Sequence, residues 1–117
     1  MMNLTERAAR KFALIKAAKG IKKEIEQAGL ENLKVLAESD ISIVGTYLNG
    51  CSPQKKAELR RDLNTLLSFS ITIDMVLDEL ARQMPELGSL MQGREPYRQT
   101  EIQKIGQFLK GSQGLTT

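Results

Sequence analysis

The chain has 117 residues, 41% hydrophobic and 26% charged, with a formal net charge of +3, no His and one Cys. That length and balance fit one globular domain and exclude a disordered chain. The lack of His removes the commonest general base and zinc ligand, and a lone Cys51 leaves no intrachain disulfide, which fits a reducing compartment.

Only two Tyr, three Phe and three Pro are present, and long stretches lack both Pro and Gly. These features predict an all-α fold with an aliphatic core. The opening stretch "MMNLTERAARKFALIKAAKG" carries Arg and Lys throughout and has no apolar run, so no signal peptide is read from it. No window approaches the roughly 18 apolar residues of a membrane span. A cytoplasmic location and no membrane partner are expected.

The first helix is predicted over about Leu4 to Ala28, capped by Asn3 or Thr5, with Glu6 in its first turn. Gly29 stands where a left-handed stop residue belongs, and Leu30 follows as the apolar residue of that stop. Leu14, Ala18, Ile21 and Ile25 form an inward stripe, while Phe12 and Ile15 lie off it.

The second segment runs through Leu33, Ala37, Ile41, Val44 and Leu48 to a stop at Gly50. It is read as one helix, bent or broken near Ser39 and Asp40. Ser52 and Pro53 mark the next start, a capping hydroxyl followed by proline in the first turn. From there Leu59, Leu63, Leu66, Ser70, Ile73, Leu77, Leu80 and Met84 alternate steps of four and three. This predicts one long central helix over about 53–84, about 48 Å in length, with Ser70 as a polar seam member, or, as the alternative, a break at "SFS" near 68–70 that gives two packed helices.

After Pro85, "PELGSLMQGREPYRQ" reads as a helical turn plus loop. A last short helix is predicted from a Thr100 cap, with Ile102, Ile105 and Leu109 on one face. Residues 111–117 are expected to be a disordered tail after a single helical domain over 1–110. No internal repeat or low-complexity tract is apparent. The predicted architecture is a small bundle of three to five helices.

No catalytic, metal-binding or phosphate-loop motif stands out, so the expectation is a non-enzymatic protein with no cofactor, no metal and no small-molecule substrate. The middle of the 53–84 segment is apolar on nearly every side. Leu67, Ile71 and Met75 make a second row at i, i+4 spacing, and Phe69 and Val76 widen the seam. These five residues are the candidate protein-interaction surface. A helix apolar all round is buried on several sides, by its own chain or by another.

The charge is uneven, with a net +4 over residues 1–29 and −2 over residues 30–52. Lys11, Lys16, Lys19, Lys22 and Lys23 share one side of the first helix. Lys55, Lys56, Arg60 and Arg61 open the third segment, where cations oppose the helix dipole. These nine residues are the candidate nucleic-acid surface. The stretch "LAESDISIVGTYLNG", at about 33–50, carries an imperfect helix-turn-helix pattern. It is one residue short in its turn, and its would-be recognition helix has no Lys or Arg.

The functional expectation is a small helical regulator, adaptor or chaperone-like protein of bacterial or phage type. It would bind a protein partner or a second copy of itself through an apolar helix face. The alternative is a small basic DNA-binding regulator.

Overall fold

The computed structural model describes residues 3–114, with side chains described as far as Lys110. Among the described residues there are seven helices and no strand: α1 Leu4–Glu26, α2 Leu30–Glu38, α3 Ile43–Gly50, α4 Pro53–Ser68, α5 Ile73–Gln83, α6 Pro85–Met91 and α7 Glu95–Gly114. The all-α class is as expected; the count of three to five helices is not.

Local chemistry sets the boundaries. The Asn3 side chain accepts from the Glu6 amide at 2.8 Å and starts α1. Gly29 at φ 84° turns the chain into α2. Ser52 caps α4 through the Lys55 amide at 3.2 Å, and Pro53 follows it in the first turn.

The predicted long helix over 53–84 is two helices. The helix ends at Ser68 and restarts at Ile73. Ser70 is not a buried seam residue; it is exposed and sits at φ 62° in the joint. The Ile71 amide reaches back to the Leu66 carbonyl at 3.0 Å, and the Ser70 amide to that of Leu67 at 3.0 Å. This is the paired bond pattern of a left-handed helix stop. Thr72 then caps α5 through the Met75 amide at 3.2 Å. Ser68, Ser70 and Thr72 favour such local bonds over helix, and β-branched Ile71, Thr72 and Ile73 add to the preference. The apolar rhythm survives because each half keeps its own row: Leu59, Leu63 and Leu66 on α4, then Leu77, Leu80 and Met84 after the break, all buried.

The joint between α2 and α3 is built the same way, 30 residues earlier. Asp40 has φ 57°, its amide donates to Ala37 at 3.1 Å, and the Ile41 amide donates to Leu36 at 2.9 Å. Ser42 caps α3 through the Gly45 amide at 2.8 Å. Leu33, Leu36, Ile41 and Ile43 match Leu63, Leu66, Ile71 and Ile73 at that offset. The chain therefore contains a repeated helix–joint–helix unit, contrary to the expectation of no repeat.

Helix α1 packs against α5, α4 and α3; α3 packs mainly against α7; and α5 packs against α6. The first helix thus contacts both halves of the 53–84 segment. The core is mostly aliphatic, but Tyr97 and Phe108 of α7 are among its largest fully buried side chains.

Helix α7 is the largest departure from the sequence reading. It starts at Glu95 with Pro96 in its first turn and spans 20 residues, so much of the expected loop is helix. The expected tail boundary at 111 falls inside it, and residues 115–117 lie outside the described residues.

Candidate functional site

The α4–α5 joint borders a shallow open depression of about 620 Å³, lined by Leu67, Ser70, Ile71, Thr72, Ile73, Asp74 and Ile102. Four of these side chains are aliphatic. Leu67 stands on the rim, 45% exposed, while Ile71 forms buried floor at 1%. Ile102 comes from α7 and closes the far side.

The five predicted interaction residues therefore separate. Leu67 and Ile71 meet in the depression. Phe69 and Met75 are half-buried and lie toward α1, where Arg10 donates to the Phe69 carbonyl at 3.1 Å and approaches the Met75 sulfur at 3.9 Å. Val76 is buried in the core. The break at the joint divides the Leu67, Ile71 and Met75 row that the spacing placed on one face of a continuous helix. Ile73 and Ile102 join the surface instead.

The two repeated joints differ at this place. At the start of α3 the space is filled by Glu101 of α7, which is fully buried. Its carboxylate accepts from the Ile43 amide at 3.0 Å, the Val44 amide at 3.1 Å, the Tyr97 hydroxyl at 2.6 Å and the Ser42 hydroxyl. The carboxylate thus caps the positive end of α3 with charge-assisted bonds. Burial, reinforced by the negative charge of Glu101, pushes the Tyr97 hydroxyl far above its ordinary range. This is a sealed structural network, with no reacting atom within reach of solvent. At the matching start of α5 the depression is open. The sequence reading missed Glu101 and Tyr97. Their signal was the i, i+4 spacing after Pro96, hidden because Tyr97 was read as loop and Glu101 as the start of a separate last helix.

Part of the basic set also converges. Lys16, Lys19 and Lys23 of α1 and Lys55 of α4 line one groove of about 210 Å³, together with Glu58 and Asp62. Arg61 joins Lys16 and Asp62 in an adjoining hollow. Lys55 already pairs with Glu58 at 3.8 Å. Arg60 is committed elsewhere, donating to the Phe108 carbonyl at 3.0 Å and lying 4.5 Å from that ring's centre. Lys22 lines a different cleft, beside Ile25 and Met84. Lys11 is exposed and Lys56 half-buried. The helix-turn-helix stretch does contain two helices and a four-residue joint, but α3 offers solvent only Thr46, Asn49, Gly50 and part of Tyr47.

Cys51 is half-buried, and burial, followed by the charge of Glu24, holds its thiol above the ordinary value. That shift favours the protonated thiol near neutral pH. Among the described residues no three His, Cys, Asp or Glu side chains are grouped to hold a metal. No helix among the described residues is long and apolar enough to cross a membrane.

Comparison with protein-family models, with curated proteins and with solved structures found no match for this chain.

Proposed function

We propose that this chain is a non-enzymatic helical adaptor or regulator that binds another protein chain at the α4–α5 joint. The observation that supports this reading is the depression itself. It places exposed Leu67 beside an aliphatic hollow floored by Ile71 and closed by Ile73 and Ile102. A protruding Leu next to a hollow of matching chemistry is self-complementary. A second copy, related by a two-fold axis, could seat its Leu67 in this hollow and offer its own hollow in return. A fully buried Leu is worth roughly 1.5–3 kcal/mol, and two are covered at once in such a pair. Light scattering at rising concentration, on the native chain and on Leu67→Glu, tests the reading. The native chain should associate and the variant should not, with helicity unchanged.

A second reading, a nucleic-acid-binding regulator, draws on the meeting of Lys16, Lys19, Lys23 and Lys55 in one groove. Glu58 and Asp62 in the same groove weigh against phosphate binding there. Addition of duplex DNA in the same scattering experiment, at low and high salt, discriminates between the two.

A further inference from the structure

The solvent face of α1 is a separate surface, and its composition is unusual for a solvated helix. Phe12 is 70% exposed and Leu4 81%, and Ile15 is also exposed, all on a helix that buries Ala17, Ala18, Ile21 and Ile25 on its other side. On an ideal helix Leu4, Phe12, Ile15, Lys11, Lys19 and Lys22 fall within an arc of about 100°. Lys16 and Lys23 flank that arc toward α4. Glu26 is the carboxylate that helical geometry places on it, and Glu58 and Asp62 of α4 border its Lys16, Lys19 and Lys23 edge. The face is cationic on balance, five lysines against these three carboxylates, and carries Phe12, Ile15 and Leu4 exposed among them.

We propose that the outer face of α1 binds the surface of an anionic lipid bilayer, lying in the plane of the interface. Charge complementarity selects this occupant. A second copy of the same face would set lysines against lysines. A phosphate backbone would answer the lysines but leave Phe12 and Ile15 without a role. At a bilayer surface both are used: the apolar ridge sinks among the acyl chains, and the lysine stems run along it while their ammonium groups meet the headgroups. The expectation of no membrane partner rested on the lack of a spanning segment, and a helix lying on the surface does not require one. This proposal is independent of the α4–α5 depression, which lies on other helices.

The test is co-sedimentation of the full chain with phosphatidylcholine vesicles, with and without phosphatidylserine. The native chain should sediment only with the phosphatidylserine vesicles, and less as salt rises. Replacing the exposed Lys11 and Lys19 by Gln should weaken binding roughly fivefold per lysine. Phe12→Ser should weaken it at least as much, and both variants should keep native circular dichroism, since the changed side chains project from the fold. No phosphatidylserine-dependent sedimentation would overturn the proposal. So would vesicle binding indifferent to Phe12→Ser, or retention on duplex DNA or an acidic protein in place of vesicles.

Discussion

Glu101 accepts from four donors in two places in the chain, Ser42–Val44 and Tyr97, so its removal takes the shared acceptor from all of them at once. Glu101→Ala is expected to cost about 3–5 kcal/mol, because buried donors left without partners carry their full desolvation cost. Glu101→Gln keeps the shape and one acceptor and should cost less. Urea denaturation of both variants checks the order. Gly45 is equally constrained, for a steric reason: an added Cβ would lie 2.6 Å from the Lys104 Cβ and from the Ser42 hydroxyl. Gly45→Ala should therefore destabilise by about 1–3 kcal/mol through displacement of α3 from α7. Tyr97 adds a pH signature. Its hydroxyl is raised above the ordinary 10.0 by burial, then by the charge of Glu101, with Arg94 opposing from 4.8 Å over the ring. Below pH 10 the tyrosine is protonated in both folded and unfolded chains. Above about 10 the unfolded tyrosine ionises and the folded one does not, so stability falls as pH rises. The Cys51 thiol, also raised, acts in the same direction from its ordinary 9.0. The urea midpoint should drop between about pH 8 and about pH 10.5, and Tyr97→Phe should flatten part of that drop.

At the scale of elements, the recurring device is the helix joint. Both joints carry a non-glycine residue at positive φ, Asp40 in one and Ser70 in the other. Both are also clamped by an Arg from elsewhere in the chain, Arg94 from the α6–α7 connection and Arg10 from α1. Arg94 donates to the Ala37 carbonyl at 2.6 Å and to Asp40 at 2.8 Å, and Arg10 donates to the Phe69 carbonyl at 3.1 Å. Asp40 is tied into its joint by that ion pair, whereas Ser70 contributes only backbone bonds there. Ser70→Gly should therefore stabilise by about 0.5–1 kcal/mol, since the left-handed strain it relieves exceeds the added freedom of the unfolded chain. A higher thermal midpoint is the check.

These joints also explain what the sequence hid. The caps at Asn3 and Ser52, the turn at Gly29 and the apolar rows of α1, α4 and α5 were legible because each is a local pattern. The break near Ser70 was legible only as an alternative, because the same alternation of four and three fits one long helix or two helices that both face the core. Only the hydroxyls at 68, 70 and 72 hinted at it, and they also suit a polar seam position. The depression was half legible. Leu67 and Ile71 were found from their spacing on the supposed helix, but Ile102 belongs to a helix distant in the chain. Pro96 was read as loop chemistry when it is the first-turn proline of α7. That misreading hid Tyr97, while Glu101 and Phe108 lay in the predicted last helix but off the face assigned to Ile102, Ile105 and Leu109.

At the scale of the whole molecule, the core closes without a second chain. The supposed need for outside cover over 66–77 shrinks, because Ile71, Val76 and Leu77 are buried within the chain. What remains is a surface centred on Leu67. Ile71→Glu would place a carboxylate in the core and unfold the chain whatever its role, so it cannot discriminate. Leu67→Glu alters the rim alone, and a surface change of this kind leaves stability within about 0.5 kcal/mol. The most direct measurement is the solution mass by light scattering, for the native chain and Leu67→Glu at equal concentrations. Association through the joint predicts a native mass rising from 13.0 kDa toward twice that value, and a variant fixed at 13.0 kDa with native helicity. A native chain that stays at 13.0 kDa at every concentration, or a variant that associates as the native chain does, would contradict it.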